Sequence, residues 1–339
     1  MDSFTHLVLG AALGEAVLGK KIGREAMFWG AVANTIPDFD VFTSPCVSAP
    51  TQMLIHRGIT HSFFFALIVA WVLSYLFAFW KKRLNVSRKG WFALFFIGMI
   101  SHDLIDSLTC YGTGWFEPFS SYRVAFDTIF VLDPFYTIPF LICVLIALIA
   151  KNGSDKRIKW TKMGLYISST YLLFTIINKA HVHSTIKHAL ENNNYSADNF
   201  VTTPTPLNNL LWMSYAVDSA GYRFGYYSIL DKNDNIQFFY LDKKEHLLEP
   251  FNKQKEVQQL KQFSQGYYCL TKEGNDVFFN DLRFGQIRGW DEPDSSFVFA
   301  YNLSNPKDEG NRNPLNRHKI RDSYPVALKS LITRAKGKQ

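Results

Sequence analysis

The chain has 339 residues, 47% of them hydrophobic, and a formal net charge of +7 from 36 Lys and Arg against 29 Asp and Glu. That length accommodates two domains, and the mean hydropathy of −0.05 averages two unlike parts: a first rich in Phe, Leu, Ile, Val and Trp, and a second rich in Asn, Asp, Lys and Tyr. The basic excess lies in short clusters between apolar runs, so no nucleic-acid partner is expected. The four cysteines (Cys46, Cys110, Cys143, Cys269) lack CxxC spacing, which excludes a disulfide framework and leaves only a Cys46 to Cys110 bridge open.

The opening Met1-Asp2-Ser3-Phe4-Thr5-His6 lacks the basic region of a cleavable signal peptide and reads as retained. Phe4 to Leu18 and Glu25 to Ile36 are rich in Ala and Gly and read as short spans or half-inserted helices. Phe63 to Trp80 runs without a charge until Lys81, Lys82 and Arg83 stop it, the length and composition of a membrane span. Trp91 to Leu108, Ile129 to Ile149 and Trp160 to Ile177 follow. The expectation for 1–178 is an all-α membrane domain of about four to six transmembrane helices.

Residues 179–339 are expected to form a small α+β soluble domain. Short apolar runs at Arg223 to Ile229, Ile236 to Leu241 and Gly266 to Leu270 read as strands, and Asp231 to Asn235 as a hairpin turn. Thr203-Pro204-Thr205-Pro206 reads as a linker, and His181, His183 and His188 as a solvated helix face.

Basic residues fix the orientation. Lys20, Lys21 and Arg24 fall in the first loop, and five more lie in each of 81–89 and 151–162, so these loops are expected in the cytoplasm. The loops 37–62 and 109–128 contain only Arg57 and Arg123, and are expected outside with the C-terminal domain and Met1. Arg57 reads as a side chain snorkelling to water. The expected location is a bacterial inner membrane, multi-pass.

This map places His6, Asp38, Asp40, His56, His61, His102, Asp106, Asp127 and Asp133 at the outer ends of their segments. Ionisable groups inside a membrane cost about 2.5 to 3.5 kcal/mol each and persist where they face a polar site. His102 and Asp106 are four apart on a helix and share a face. His56 and His61 bracket Gly58 at a loop-to-helix junction. Asp38 and Asp40 flank Phe39 after Pro37, in an extended or turn geometry that points both carboxylates one way. Imidazoles and carboxylates without thiolates suit an open site for zinc, ahead of other divalent ions. The expected ligands are His6, Asp38, His56, His61, His102 and Asp106, with Asp38 or Asp40 as general base. Asp133 before Pro134 also reads as a helix cap, and Glu15 is an unassigned acid inside the first apolar segment.

Thr5-His6-Leu7-Val8-Leu9-Gly10, Pro37-Asp38-Phe39-Asp40, His56-Arg57-Gly58-Ile59-Thr60-His61-Ser62 and Ser101-His102-Asp103-Leu104-Ile105-Asp106, in that order, resemble the YdjM-type family of membrane-bound metal-dependent hydrolases. The resemblance covers the first half to two-thirds of the chain. Through that family it extends distantly to zinc-dependent phospholipase C and single-strand nucleases, helical enzymes that hold zinc with His and Asp and use the N-terminal residue as a ligand. It implies phosphoester hydrolysis, with His6, Asp38 and the His102–Asp106 pair matching in kind and order. The soluble enzymes add a later His pair and a Glu, where this chain offers only Asp127 and Asp133.

The expected function is a phosphoesterase using metal-activated water on a lipid or other phosphoester at the bilayer surface. A proton- or ion-coupled transporter is the rival reading, and it needs polar residues across the whole bilayer. Ala70 to Trp80 and Trp91 to Met99 are almost entirely apolar, which argues against such a path. A scaffold with a structural metal is the third reading.

Overall fold

The computed structural model describes residues 1–312, 314–316 and 324–337. The chain forms two compact units: Met1–Pro45 with Ile55–Ile176, and Cys46–Leu54 with Ile177–Gln339.

The first unit is helical. α1 (Ser3–Ile22) starts where the Asp2 carboxylate accepts from Thr5 N at 3.0 Å, and it ends at Gly23, whose φ of 60° suits a residue without Cβ. α2 (Arg24–Thr35) turns back along it. A Cβ on Gly14 would overlap the Ala26 carbonyl and one on Gly30 the Gly10 carbonyl, so the two backbones meet along a seam of small residues. A 3-10 helix (Pro37–Cys46) and α3 (Ala49–Ile55) follow. The Asp38–Asp40 segment is therefore helical, where an extended or turn geometry is expected from sequence. α4 (Phe63–Trp80) and α5 (Arg88–Ser107) are capped by the Ser62 and Ser87 hydroxyls.

α6 (Pro134–Ile149) begins five residues later than its apolar run. Asp133 accepts from Phe135 N at 2.9 Å and Tyr136 N at 3.3 Å, and Pro134 takes the first turn, where its missing N–H costs nothing. Asp133 is thus a cap, held also by the Tyr171 hydroxyl at 2.8 Å. α7 (Asp155–Asn192) runs 38 residues, far beyond Trp160 to Ile177, because nothing between those limits is a proline and polar residues do not break a helix. His181, His183 and His188 lie on its exposed C-terminal part.

Apolar side chains on α4 and α6 point outward. Of the 18 residues in α4 only Ala66, Ala70, Ser74 and Phe77 are buried, and Phe135, Ile138, Ile142, Leu145 and Ile149 line the exposed side of α6. A helix in water does the reverse. Among the described residues α4 alone is long and apolar enough to cross a membrane by length and composition, and α6 is a shorter apolar helix. α5 differs from its expectation as an apolar span because His102, Asp103 and Asp106 crowd its last turns.

The second unit contains the sheets. β1 (Phe200–Pro204), β2 (Leu211–Asp218), β3 (Gly221–Ser228) and β4 (Phe238–Asp242) form an antiparallel sheet in that order. α8 (Lys255–Phe263) precedes β5 (Tyr268–Glu273), β6 (Asp276–Asp281) and β7 (Ala300–Asn302), which pair antiparallel, and α9 (Tyr324–Ala335) follows. The three expected strands are β3, β4 and β5. Thr203 and Pro204 belong to edge strand β1, opposite Met213 and Trp212, so they are not a linker. The helical region followed by a sheet-containing part agrees with the fold class read from sequence. All four cysteines are free.

Glu15 has a partner. Arg157 Nη2 on α7 donates to Glu15 Oε2 at 2.5 Å, with both residues buried, and Arg157 Nη1 reaches Asn152 Oδ1 at 2.9 Å. Removing one member of a buried pair strands the other charge, at a cost of about 3–5 kcal/mol. Glu15→Ala should therefore lower the melting temperature of the full chain in detergent markedly. Glu15→Met with Arg157→Met should regain most of the loss, and an unchanged melt for the single variant would show the pair to be solvated.

Candidate metal centre

Four segments meet inside the first unit: the start of α1, the 3-10 helix after α2, the turn before α4 and the last turns of α5. Asp38, His61, His102 and Asp106 each contribute one ligand atom to a group within 4.8 Å of one another. His61 Nε2 and His102 Nε2 are 3.0 Å apart. His61 Nε2 lies 3.5 Å from Asp38 Oδ1 and 3.5 Å from Asp106 Oδ2, and His102 Nε2 lies 3.5 Å and 3.4 Å from the same two oxygens. A tetrahedron of ligands about 2.0–2.1 Å from zinc has edges of about 3.3 Å, so five edges here are already close to that figure.

The hydrogen bonds around the group fix what faces inward. His102 Nδ1 lies 2.6 Å from the Asn34 carbonyl, which can only accept, so Nδ1 carries a proton and Nε2 is the nitrogen turned towards the group. Thr60 Oγ1 donates to Asp40 Oδ2 at 2.9 Å and has no second proton, so it accepts from His61 Nδ1 at 3.0 Å, leaving His61 Nε2 turned the same way. Asp106 Oδ2 is buried without a hydrogen-bond donor. Two imidazole Nε2 atoms facing each other between two carboxylates suit an electrophile among them. The donor set therefore fits a divalent cation.

Burial opposes the charge on Asp38, but interaction with His102 and His61 outweighs it and holds that carboxyl below the usual range. Burial likewise opposes ionisation of Asp40, and His56, His61 and Thr60 together lower it. Burial keeps the His61 imidazole below its ordinary value despite Asp106 and Asp38, the neutral form a ligand needs.

The other expected ligands stand beside the group. His6 stacks on His102 with ring centroids 3.7 Å apart, and its Nε2 is 3.0 Å from Asp106 Oδ1, the oxygen that also ion-pairs with the Met1 amine. His56 Nδ1 lies 2.9 Å from Asp40 Oδ1, and its side chain is 28% exposed while His61 and His102 are fully buried. Asp127 and Asp133 lie outside the four-atom group.

Arg57 does not snorkel. It is 3% exposed, with Nε 3.0 Å from Asp106 Oδ2 and Nη1 donating to Thr109 Oγ1 at 2.7 Å and to the Asp106 carbonyl at 3.3 Å. Arg123, 6% exposed, donates to the carbonyls of His56 and Gly112. A sequence signal for both exists: they are the sole Lys or Arg residues in 37–62 and 109–128, the two loops otherwise free of them. Asn34 and Thr60 carried no such signal. Asp103 is fully buried and both its oxygens lack hydrogen-bond partners.

The sequence profile of the YdjM inner membrane protein family matches residues 1–182, a stretch that holds every residue of this centre. The inner membrane protein YbcI of Escherichia coli is 30% identical over 121 residues, which cover 35% of this chain and 68% of YbcI. YfhP of Bacillus subtilis, an uncharacterized protein, is 28% identical over 205 residues, 56% of this chain and 60% of its own length. No solved structure matches. With more than half its length under that profile, the chain belongs to the YdjM inner membrane protein family.

Proposed function

We propose that this protein is a metal-dependent hydrolase, a phosphoesterase acting at the extracytoplasmic surface of the inner membrane on a phospholipid or other phosphoester. The observation that carries the reading is the facing of the His61 and His102 Nε2 atoms, 3.0 Å apart, between the carboxylates of Asp38 and Asp106. His61, His102, Asp38 and Asp106 would hold the ion, with zinc best suited to two imidazoles and two carboxylates. A bound divalent ion supplies an activated water and polarises a phosphoryl oxygen.

Proton transfer falls to His56. Its Nδ1–H is held by Asp40 Oδ1, whose other oxygen is engaged by Arg57 N at 3.2 Å and Thr60 Oγ1 at 2.9 Å. The carboxylate thereby sets the tautomer and leaves His56 Nε2, on the most open imidazole of the centre, to take a proton from water and return it to the leaving alkoxide as the P–O bond breaks. Asp40 is in this reading a positioning residue, and Asp38 a ligand.

Four to six of α1, α2, α4, α5, α6 and α7 span the bilayer. The outward apolar faces of α4 and α6 and the basic clusters at 20–24, 81–89 and 151–162 support cytoplasmic loops there and an outer location for the site and the C-terminal region.

Elemental analysis of the purified full chain should find zinc or a similar ion, and His61→Ala, His102→Ala and Asp106→Ala should each lose it. Equal, near-zero metal in wild type and variants would end the metal reading. His56→Ala and Asp40→Asn should keep the ion yet lose about 10²-fold or more in kcat on a phosphoester panel, the scale of general acid–base catalysis. A metal-loaded wild type that cleaves none of the panel would favour a scaffold instead. Reporter fusions at Asn85, Asn152 and the C-terminus should read inside, inside and outside, and an inside C-terminus would overturn the orientation.

A further inference from the structure

Arg57 is a buried guanidinium with donors to spare. Of its five N–H groups, the two on Nη1 are spent on the Asp106 carbonyl and Thr109 Oγ1. Nε faces Asp106 Oδ2 from 3.0 Å without forming an aligned hydrogen bond, and the hydrogen bonds of the guanidinium run from Nη1. The plane is clamped over the Tyr111 ring at 4.6 Å. A buried N–H without a hydrogen bond on a residue 3% exposed is costly, so it marks a place for an acceptor. The neighbours that could compete for it, Asp38 and Asp40, are committed to the imidazoles of His61, His102 and His56.

We infer that Arg57 is a phosphoryl-binding residue of this centre, its guanidinium taking an anionic oxygen of the substrate next to the four-ligand group. This rests on the phosphoesterase reading and names what recognises the phosphate. A planar fork fixed at one edge by Asp106 and at its face by Tyr111 suits a tetrahedral oxyanion better than a mobile ammonium does. It also places a fixed positive charge where a second metal ion would otherwise be needed to meet charge on phosphoryl oxygens. One metal per chain therefore suffices.

The test uses the full-length protein in detergent, loaded with zinc, and titrates inorganic phosphate by calorimetry. Wild type should bind phosphate with one zinc per chain. Arg57→Lys should retain zinc and the fold, and Arg57→Ala, which strands Asp106, should melt lower; both should bind phosphate about 10-fold or more weakly, the scale of one charge-assisted hydrogen bond. Lysine keeps the charge beside Asp106 and loses the fork, so it separates recognition from neutralisation. Adding phosphatidylglycerol nanodiscs identifies the source: displacement of phosphate assigns a lipid headgroup, and its absence a soluble phosphoester. Phosphate binding equal in wild type and both variants, no binding to zinc-loaded wild type, or loss of zinc in Arg57→Lys each overturns the proposal. Arg57-dependent phosphate binding in a protein that hydrolyses no phosphoester would uphold the subsite and fail the enzyme reading, whereas hydrolysis undiminished in Arg57→Lys does the reverse.

Discussion

Asp106 carries a fully buried carboxylate in the last turn of α5, and the rest of the centre is arranged around meeting that charge. An isolated ionised carboxyl in such surroundings is prohibitively unfavourable, so each of its oxygens has to be met by positive charge or by donors. Oδ1 faces His6 and the Met1 amine, while Oδ2 faces Arg57, His61 and His102. Groups from α1, from the turn before α4 and from α5 itself converge on one side chain. Asp38 adds a second carboxylate to the group, its Oδ1 3.5 Å from the Nε2 atoms of both His61 and His102.

The two ends of the helical unit treat buried charge differently. At one end Glu15 and Arg157 neutralise each other within hydrogen-bond distance, which ties α1 to α7. At the other end three acids, four histidines and an arginine are only partly matched, with Asp106 Oδ2, His6 Nδ1 and Arg57 Nε left without hydrogen bonds. A close one-to-one pair is a fastening; a cluster with several unmatched groups has work to do on something that enters it.

Much of this was legible in the chain. The His102–Asp106 spacing implies one helix face, and the bracketing of Gly58 by His56 and His61 implies a junction; the structure has both. What spacing does not encode is which nitrogen faces which neighbour. His56 and His61 look equivalent in sequence, and only the 3-10 path of Pro37–Cys46 sets Asp40 against His56 and Asp38 against His61. Arg57 was misread because snorkelling assumes water within reach of a long side chain, whereas a left-handed backbone with φ of 61° accompanies its burial against α5. Strand β1 was hidden by its threonines and proline, acceptable on a sheet edge, and the length of α7 by polar residues that do not terminate a helix.

The bond from His102 Nδ1 to the Asn34 carbonyl has a consequence for how the centre tolerates change. α2 ends at Thr35, so that carbonyl is one of those at a helix C-terminus with no intrahelical donor, and the imidazole satisfies it. The Nδ1 side of His102 is thus held by main chain, while the His6 ring stacks on its face. Substitution at position 34 removes the amide bonds to Gly98 O and Ser101 Oγ but leaves the acceptor of His102 in place. The Nδ1 anchor of this ligand is insulated from sequence drift at position 34, and it depends there on the path of α2.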